Sequence, residues 1–235
     1  MSGWTAKRFW TKATAETVEG GFTVRLDGRP VKTPAKAALT LPSRTLAEAI
    51  AAEWDAQTGV VKPAAMPLAR AANSAIDKVA PMRDAVIAEL AGYGGTDLVC
   101  YRAEAPEALI AAQAAAWDPL VDWAATALRA PLRITQGVIP VAQAPDSLSR
   151  LTDRVAALSD FELAGLHDLV AISGSLVLAL AVAEGRLEPE AAFDLSRVDN
   201  RWQSDLWGAD AEEAETEALR RAAFLQAHRF LALCR

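Results

Sequence analysis

His167, Asp168, Ser173 and Ser175 put the residue types of a hydrolytic triad into one short stretch, GLHDLVAISGS. Nucleophilic catalysis needs a base that reaches the hydroxyl and an acid that orients the base. Neighbouring residues on a helix project about 100° apart, so Asp168 is not expected to orient the His167 imidazole. No G-x-S-x-G elbow occurs to set a serine on a sharp strand-to-helix turn. A small hydrolase using His167 therefore stands only as a minor rival. His228, in the last helix, reads as a capping or packing residue. Cys100 and Cys234 have no companions at ligand spacing and sit among apolar residues, so they read as buried free thiols. The GYGG at 92–95 lacks the lysine and the strand-loop-helix frame of a phosphate loop, and no Walker or G-x-G-x-x-G pattern appears. Neither cofactor nor metal is expected. The default reading is a non-enzymatic binding protein.

Composition agrees with that reading. Hydrophobic residues make up 52% of the 235 positions and charged residues 23%, the profile of a largely helical globular protein. A net charge of −6 leaves no basic stripe for nucleic acid. The longest uncharged apolar run, Leu169 to Ala183, is shorter than the ~20 residues that span a bilayer, so it predicts a buried helix and no membrane insertion. Lys7, Arg8 and Lys12 precede the first acidic residue, Glu16, as in a transit peptide, but serine is not enriched and RFW at 8–10 begins a strand pattern. The segment reads as mature protein, and the expected location is cytosolic.

The elements that must position any site change character near Pro42. Before it, short alternating runs and the turn dipeptides Gly20-Gly21 and Asp27-Gly28 predict a small antiparallel sheet. Such a sheet is marginal alone and must lean on helices. After Pro42 the spacing predicts helices: one capped by Ser43 through Trp54, others over 68–79, from Pro81 to about 91 and over 107–128. About 146–158, 160–184, 188–207 and 210–233 complete the set. A short extended segment is expected within 132–141. The fold class is α+β, with a β-rich N-terminal domain over 1–42 and a mainly α-helical domain over 43–235.

Trp54, Trp117 and Trp123 fall on apolar helical stripes and are expected in the core. Phe9 and Trp10 must point to opposite faces of a strand. Near the C-terminus, DNRWQSDLWGADAEEAE sets two tryptophans among carboxylates. Residues 199–217 carry seven acidic side chains against one basic, whereas 1–36 carry seven basic against three acidic. Opposed poles of this kind can orient a partner during encounter, or pair with each other. Leu195, Val198, Trp202 and Leu206 form an expected inward stripe. Trp207, before Gly208, either closes the joint to the last helix or protrudes as an anchor.

Eight stretches, in order, resemble one family. They are RFW at 8–10, LDGRPVKTP at 26–34, EWDAQ at 53–57, MPLARAANSAID at 66–77, DLVCYRAEAPEAL at 97–109, WDPLVDW at 117–123, SGSLVLALAVAEGRL at 173–187 and SRVDNRWQSDLWGAD at 196–210. The chain thereby resembles the assembly chaperones that bind the α subunit of the F-type ATP synthase catalytic head. The resemblance implies an ATP-independent chaperone, monomeric when free. It would hold the unassembled α subunit, keep it from aggregating and hand it over to the β subunit. It also implies a bacterial cytoplasmic protein, or a mitochondrial-matrix one in a eukaryote. A permanent adaptor or subunit of another complex is the alternative. The family pattern places an acidic residue and a glutamine at Asp199 and Gln203, and often a second acidic residue where this chain has Asn200. Asp199 is thus the leading candidate for partner binding, joined by Gln203, by Trp207 and by Glu53 and Asp55 of EWDAQ, which read either as anchors of domain contacts or as a solvated pair.

Overall fold

A computed structural model describes residues 7–208 and 210–235. The first six residues, which carry part of the leader question, and Ala209 within the last motif lie outside the described residues. The described chain divides into two compact units. One comprises the residues up to Arg83 with Ser159–Gly165 and Arg229–Arg235; the other comprises Asp84–Leu158 and Leu166–His228.

In the first unit, β1 (Ala13–Val18), β2 (Gly21–Leu26) and β3 (Arg29–Pro30) form an antiparallel sheet in sequence order. Asp27 takes the left-handed conformation, with Gly28 beside it, and the two reverse the chain between β2 and β3. Val24 and Leu26 are buried, as the period-two pattern requires, but Thr23 on the alternate face is buried too, and Phe22 and Arg25 are half-buried. Helix α1 (Arg44–Asp55) packs on this sheet through Leu46, Ala47 and Ile50, all fully buried. Ser43 caps it, its Oγ accepting from Leu46 N at 3.0 Å. The expected boundary at Pro42 therefore falls inside the first compact unit. The sheet has one face to bury, and α1 is what buries it. Helix α2 (Pro67–Ser74) follows and runs into a single π-turn, Ala75–Val79.

The second unit is helical except for a two-stranded parallel pair, β4 (Tyr101–Arg102) and β5 (Thr135–Gln136). Helix α3 (Arg83–Gly92) leads into it; α4 (Glu107–Thr126), α5 (Pro145–Ala156) and α7 (Leu176–Ala183) follow, and α6 (Asp160–Ser173) belongs to it from Leu166 onward. The apolar run at 169–183 is two helices, not one. Gly174 adopts φ +73°, and Ser175 restarts the chain as N-cap, accepting from Leu178 N at 3.0 Å. All of α7 is buried. No helix among the described residues is long and apolar enough to cross a membrane.

Behind that restart lies Asp97, fully buried. Its carboxylate accepts from Ser175 Oγ at 2.5 Å, Val177 N at 2.9 Å and Val99 N at 3.2 Å. One side chain thus holds the first turn of α7 and the turn Leu98–Cys100 together.

The expected helix over 188–207 is also two: α8 (Pro189–Leu195) and α9 (Val198–Trp207). Ser196 ends α8, its N bonding to Ala192 and Phe193 carbonyls and its Oγ donating to Phe193 O at 2.7 Å. Arg197 then leaves helical geometry, donating to Ile172 O at 2.7 Å and pairing with Glu217 at 3.1 Å. This break rotates α9 relative to α8, so the supposed inward stripe does not run through: Leu206 is 59% exposed and Trp202 half-buried. Helix α10 (Ala211–Leu233) closes the chain.

Candidate partner-binding face

Asp199, Gln203, Leu206 and Trp207 stand at helical steps of four, three and one on α9, so they share one edge of the helix. That edge starts half-buried and ends in open solvent. Asp199, at its inner end, accepts from Gln113 Nε2 at 2.7 Å; the buried Gln113 also uses its Oε1 to accept from Ala103 N at 2.7 Å. The amide therefore spends one end on β4's continuation and the other on α9. Trp117, one turn beyond Gln113 on α4, donates from Nε1 to Leu195 O at 2.8 Å. These two bonds fix where α9 begins. Gln113 went unnoticed in sequence, although a glutamine one turn from Trp117 in an alanine-rich stripe is the mark of a polar group buried for a partner.

At the outer end Trp207 is 79% exposed, beside exposed Leu206. Gly208, at φ +85°, terminates α9 there, donating from its N to Ser204 O at 2.9 Å. Trp207 thus protrudes into solvent instead of closing a joint to the last helix. Gln203, Asp205, Asp210, Glu212, Glu213 and Glu215 are exposed. Among the described residues, Asp205, Glu212, Glu213 and Glu215 form no ion pair, whereas Glu217 is tied to Arg197 and Arg220. Arg221 holds α10 to α8 by pairing with Asp194 at 2.8 Å. An aromatic and a leucine side chain are thus presented next to unneutralised carboxylates.

Glu53 and Asp55 occupy a different place, in the first unit. Glu53 accepts from Leu68 N at 2.8 Å and Ala69 N at 2.9 Å, supplying the side-chain cap that Met66 cannot give to α2. Burial pushes its carboxyl above the ordinary value, and the two amide donors and Arg229 oppose that shift. Asp55 accepts from Ala13 N at 2.8 Å and pairs with Arg8 at 3.6 Å. The structure does not bring this pair onto the α9 edge. Glu53→Ala is expected to lower stability by about 2 kcal/mol, the upper range for a lost helix cap. Chemical denaturation followed by circular dichroism measures it.

The triad residues are arranged otherwise than their spacing suggested. His167 Nδ1 does meet Asp168 Oδ1, at 3.2 Å, because both side chains lie at the helix surface and bend toward each other. That hydrogen bond, with Glu89 3.9 Å from Nε2, holds the imidazole pKa above its usual value despite partial burial. The serines are engaged elsewhere: Ser173 Oγ donates to Leu169 O at 2.7 Å and Ser175 Oγ to Asp97, and both are buried. Cys100 and Cys234 are buried, and burial pushes the pKa of each thiol up to about 12, which disfavours the thiolate. Among the described residues no group of three His, Cys, Asp or Glu side chains is placed to hold a metal ion.

Comparison with known proteins places this geometry. The family described as ATP12 chaperone protein matches residues 7–125. The mitochondrial protein atp12 of Schizosaccharomyces pombe is 25% identical over 228 residues, 91% of this chain and 78% of that one. The crystal structure of Atp12 from Paracoccus denitrificans is 55% identical, with TM-score 0.95, covering 98% of this chain and 99% of that one. An aspartate-to-lysine mutant of the Paracoccus protein matches equally well, at TM-score 0.95 over 98% of both chains. The chain belongs to the ATP12 chaperone protein family, the ATP synthase assembly chaperones.

Proposed function

We propose that the protein is an ATP-independent chaperone that binds the unassembled α subunit of F-type ATP synthase, prevents its aggregation and releases it to the β subunit. We assign the contact to the outer edge of α9, with Trp207 as the anchor, Asp199 and Gln203 beside it, and the acidic start of α10 as the rim. Glu53 and Asp55 hold α2 and β1 in place within the first unit. The single observation that carries the reading is Trp207, 79% exposed on a capped helix in a member of this family. An unassembled ring subunit exposes an apolar face meant for its neighbours, and such faces aggregate. A chaperone that must let go needs a small interface with few aromatic anchors and a charged rim. Nothing in this binding requires a cofactor, and the bacterial cytoplasm is the proposed location.

Light scattering tests the holdase half directly. Denatured α subunit diluted into buffer should scatter strongly alone and weakly with a stoichiometric amount of this protein, ATP absent. Unchanged scattering would remove the α subunit as the client.

A further inference from the structure

The first unit carries a second exposed surface, unlike the α9 edge in sign. Phe9 is 64% exposed although its neighbour Trp10 is 4% exposed; the two lie outside any strand, and their rings meet edge to face with centroids 5.3 Å apart, so the expected opposite faces of a strand are not formed. The Arg29 guanidinium lies over the Phe9 ring, 5.9 Å from its centroid. Lys7 bridges to Val60, itself 42% exposed, and Arg8 N donates to Gly59 O at 2.7 Å, so residues 59–62 border the same corner. Asp27 accepts from Thr11 N at 2.8 Å and Lys12 N at 2.9 Å, which sets Lys12 there too. Lys7, Lys12 and Lys62 are exposed and form no ion pair among the described residues. Arg8, by contrast, is consumed internally, donating to the carbonyls of Trp10, Asp55, Gln57 and Thr11.

We propose that this corner is a docking surface for an acidic, partly apolar segment of a protein partner. Phe9 and Val60 offer an apolar strip; Arg29, Lys7, Lys12 and Lys62 surround it. In a chain of net charge −6 such a concentration of cations selects carboxylates. Arg29 is exposed, and its planar guanidinium fork suits a carboxylate. A nucleic-acid strand fits less well: Arg29 already occupies a face of the Phe9 ring on which a base would stack, and Asp27 and Asp55 interrupt the positive charge along the corner. The corner belongs to the first unit and the α9 edge to the second, and the two differ in the sign of their charge.

Anisotropy of a fluorescein-labelled peptide of alternating glutamate and valine, titrated with the full chain, tests this. Its lysine counterpart, a uridine oligonucleotide and phosphatidylglycerol vesicles are the competing probes. The glutamate peptide should bind, weaken as salt rises, and lose about tenfold in affinity with Arg29→Glu, as with Phe9→Ser. Lys12→Glu, which leaves the Phe9–Arg29 stack alone, should weaken it in the same direction. Trp207→Ala should leave it unchanged, so failure at α9 does not imitate failure here. Equal binding of both peptides, Arg29-dependent binding that favours the RNA or the vesicles, or wild-type affinity in both charge reversals would overturn the proposal.

Discussion

Trp207→Ala is expected to weaken capture of the α subunit by about thirtyfold, the ~2 kcal/mol that a central aromatic anchor contributes. The folded state should hardly notice. With 79% of the side chain in water, truncation removes almost no packing, and the stability change should stay within ~0.5 kcal/mol. That separation makes Trp207 a cleaner probe than Asp199. Asp199 accepts from Gln113, whose other end bonds Ala103 N, so Asp199→Lys breaks an internal bond as well as reversing charge. Its melting temperature should fall with the loss of about 1 kcal/mol, in addition to any loss of binding. Surface plasmon resonance on immobilised α subunit, with melting curves for both variants, measures the two effects side by side. Wild-type affinity for Trp207→Ala would move the interface away from α9.

Asp97→Ala should be the most damaging single substitution in the second unit. It removes an acceptor from Ser175 Oγ, Val177 N and Val99 N inside a site from which water is excluded. Stranded buried donors cost ~1–3 kcal/mol each, so a loss of at least about 3 kcal/mol and roughly 10 °C in Tm is expected near neutral pH. Asp97→Asn keeps an oxygen for the backbone amides, and Ser175 Oγ can turn to accept from its NH2, so it should recover most of that loss. The pH dependence separates the two explanations further. Burial raises the Asp97 pKa from 3.8 to about 6, against the hydrogen bonds that favour the anion. The folded state therefore holds its proton more tightly than the unfolded one. The corresponding stability is complete below about 3.8 and is lost as pH rises through about 6, on the order of 3 kcal/mol in all. Denaturation midpoints measured across this window should decline with rising pH in the native protein and lose that component in Asp97→Asn. An identical slope in both would show that Asp97 does not carry it.

Much of this arrangement was legible in the sequence. The Ser43 cap, the Asp27-Gly28 reversal and the small sheet follow from local chemistry, which a few residues specify. The breaks at Gly174 and at Ser196–Arg197 did not, because the apolar pattern continues across both. What stops the helix at 174 is a left-handed glycine together with Asp97, which stands far off in sequence; what stops it at 196 is Ser196 turning onto Phe193 O and Arg197 reaching Ile172 and Glu217. Long-range partners of this kind leave no periodicity. The same limit applied to the site. Steps of four put Asp199, Gln203 and Trp207 on one edge, but only the rotation of α9 after the break decided that Leu206 and Trp207 face solvent. Anchoring and solvation stayed equally open for Glu53 and Asp55 in the sequence because the amides they accept from, at Leu68, Ala69 and Ala13, are distant in the chain.

The measurement closest to the central claim is size-exclusion chromatography of α subunit co-expressed with this protein, before and after adding β subunit. A complex of the two should elute first, and β subunit should convert it to α–β species while the chaperone returns to its free elution volume. A complex that persists unchanged with β subunit would mark a permanent adaptor, and the absence of any complex with α subunit would contradict the proposed function.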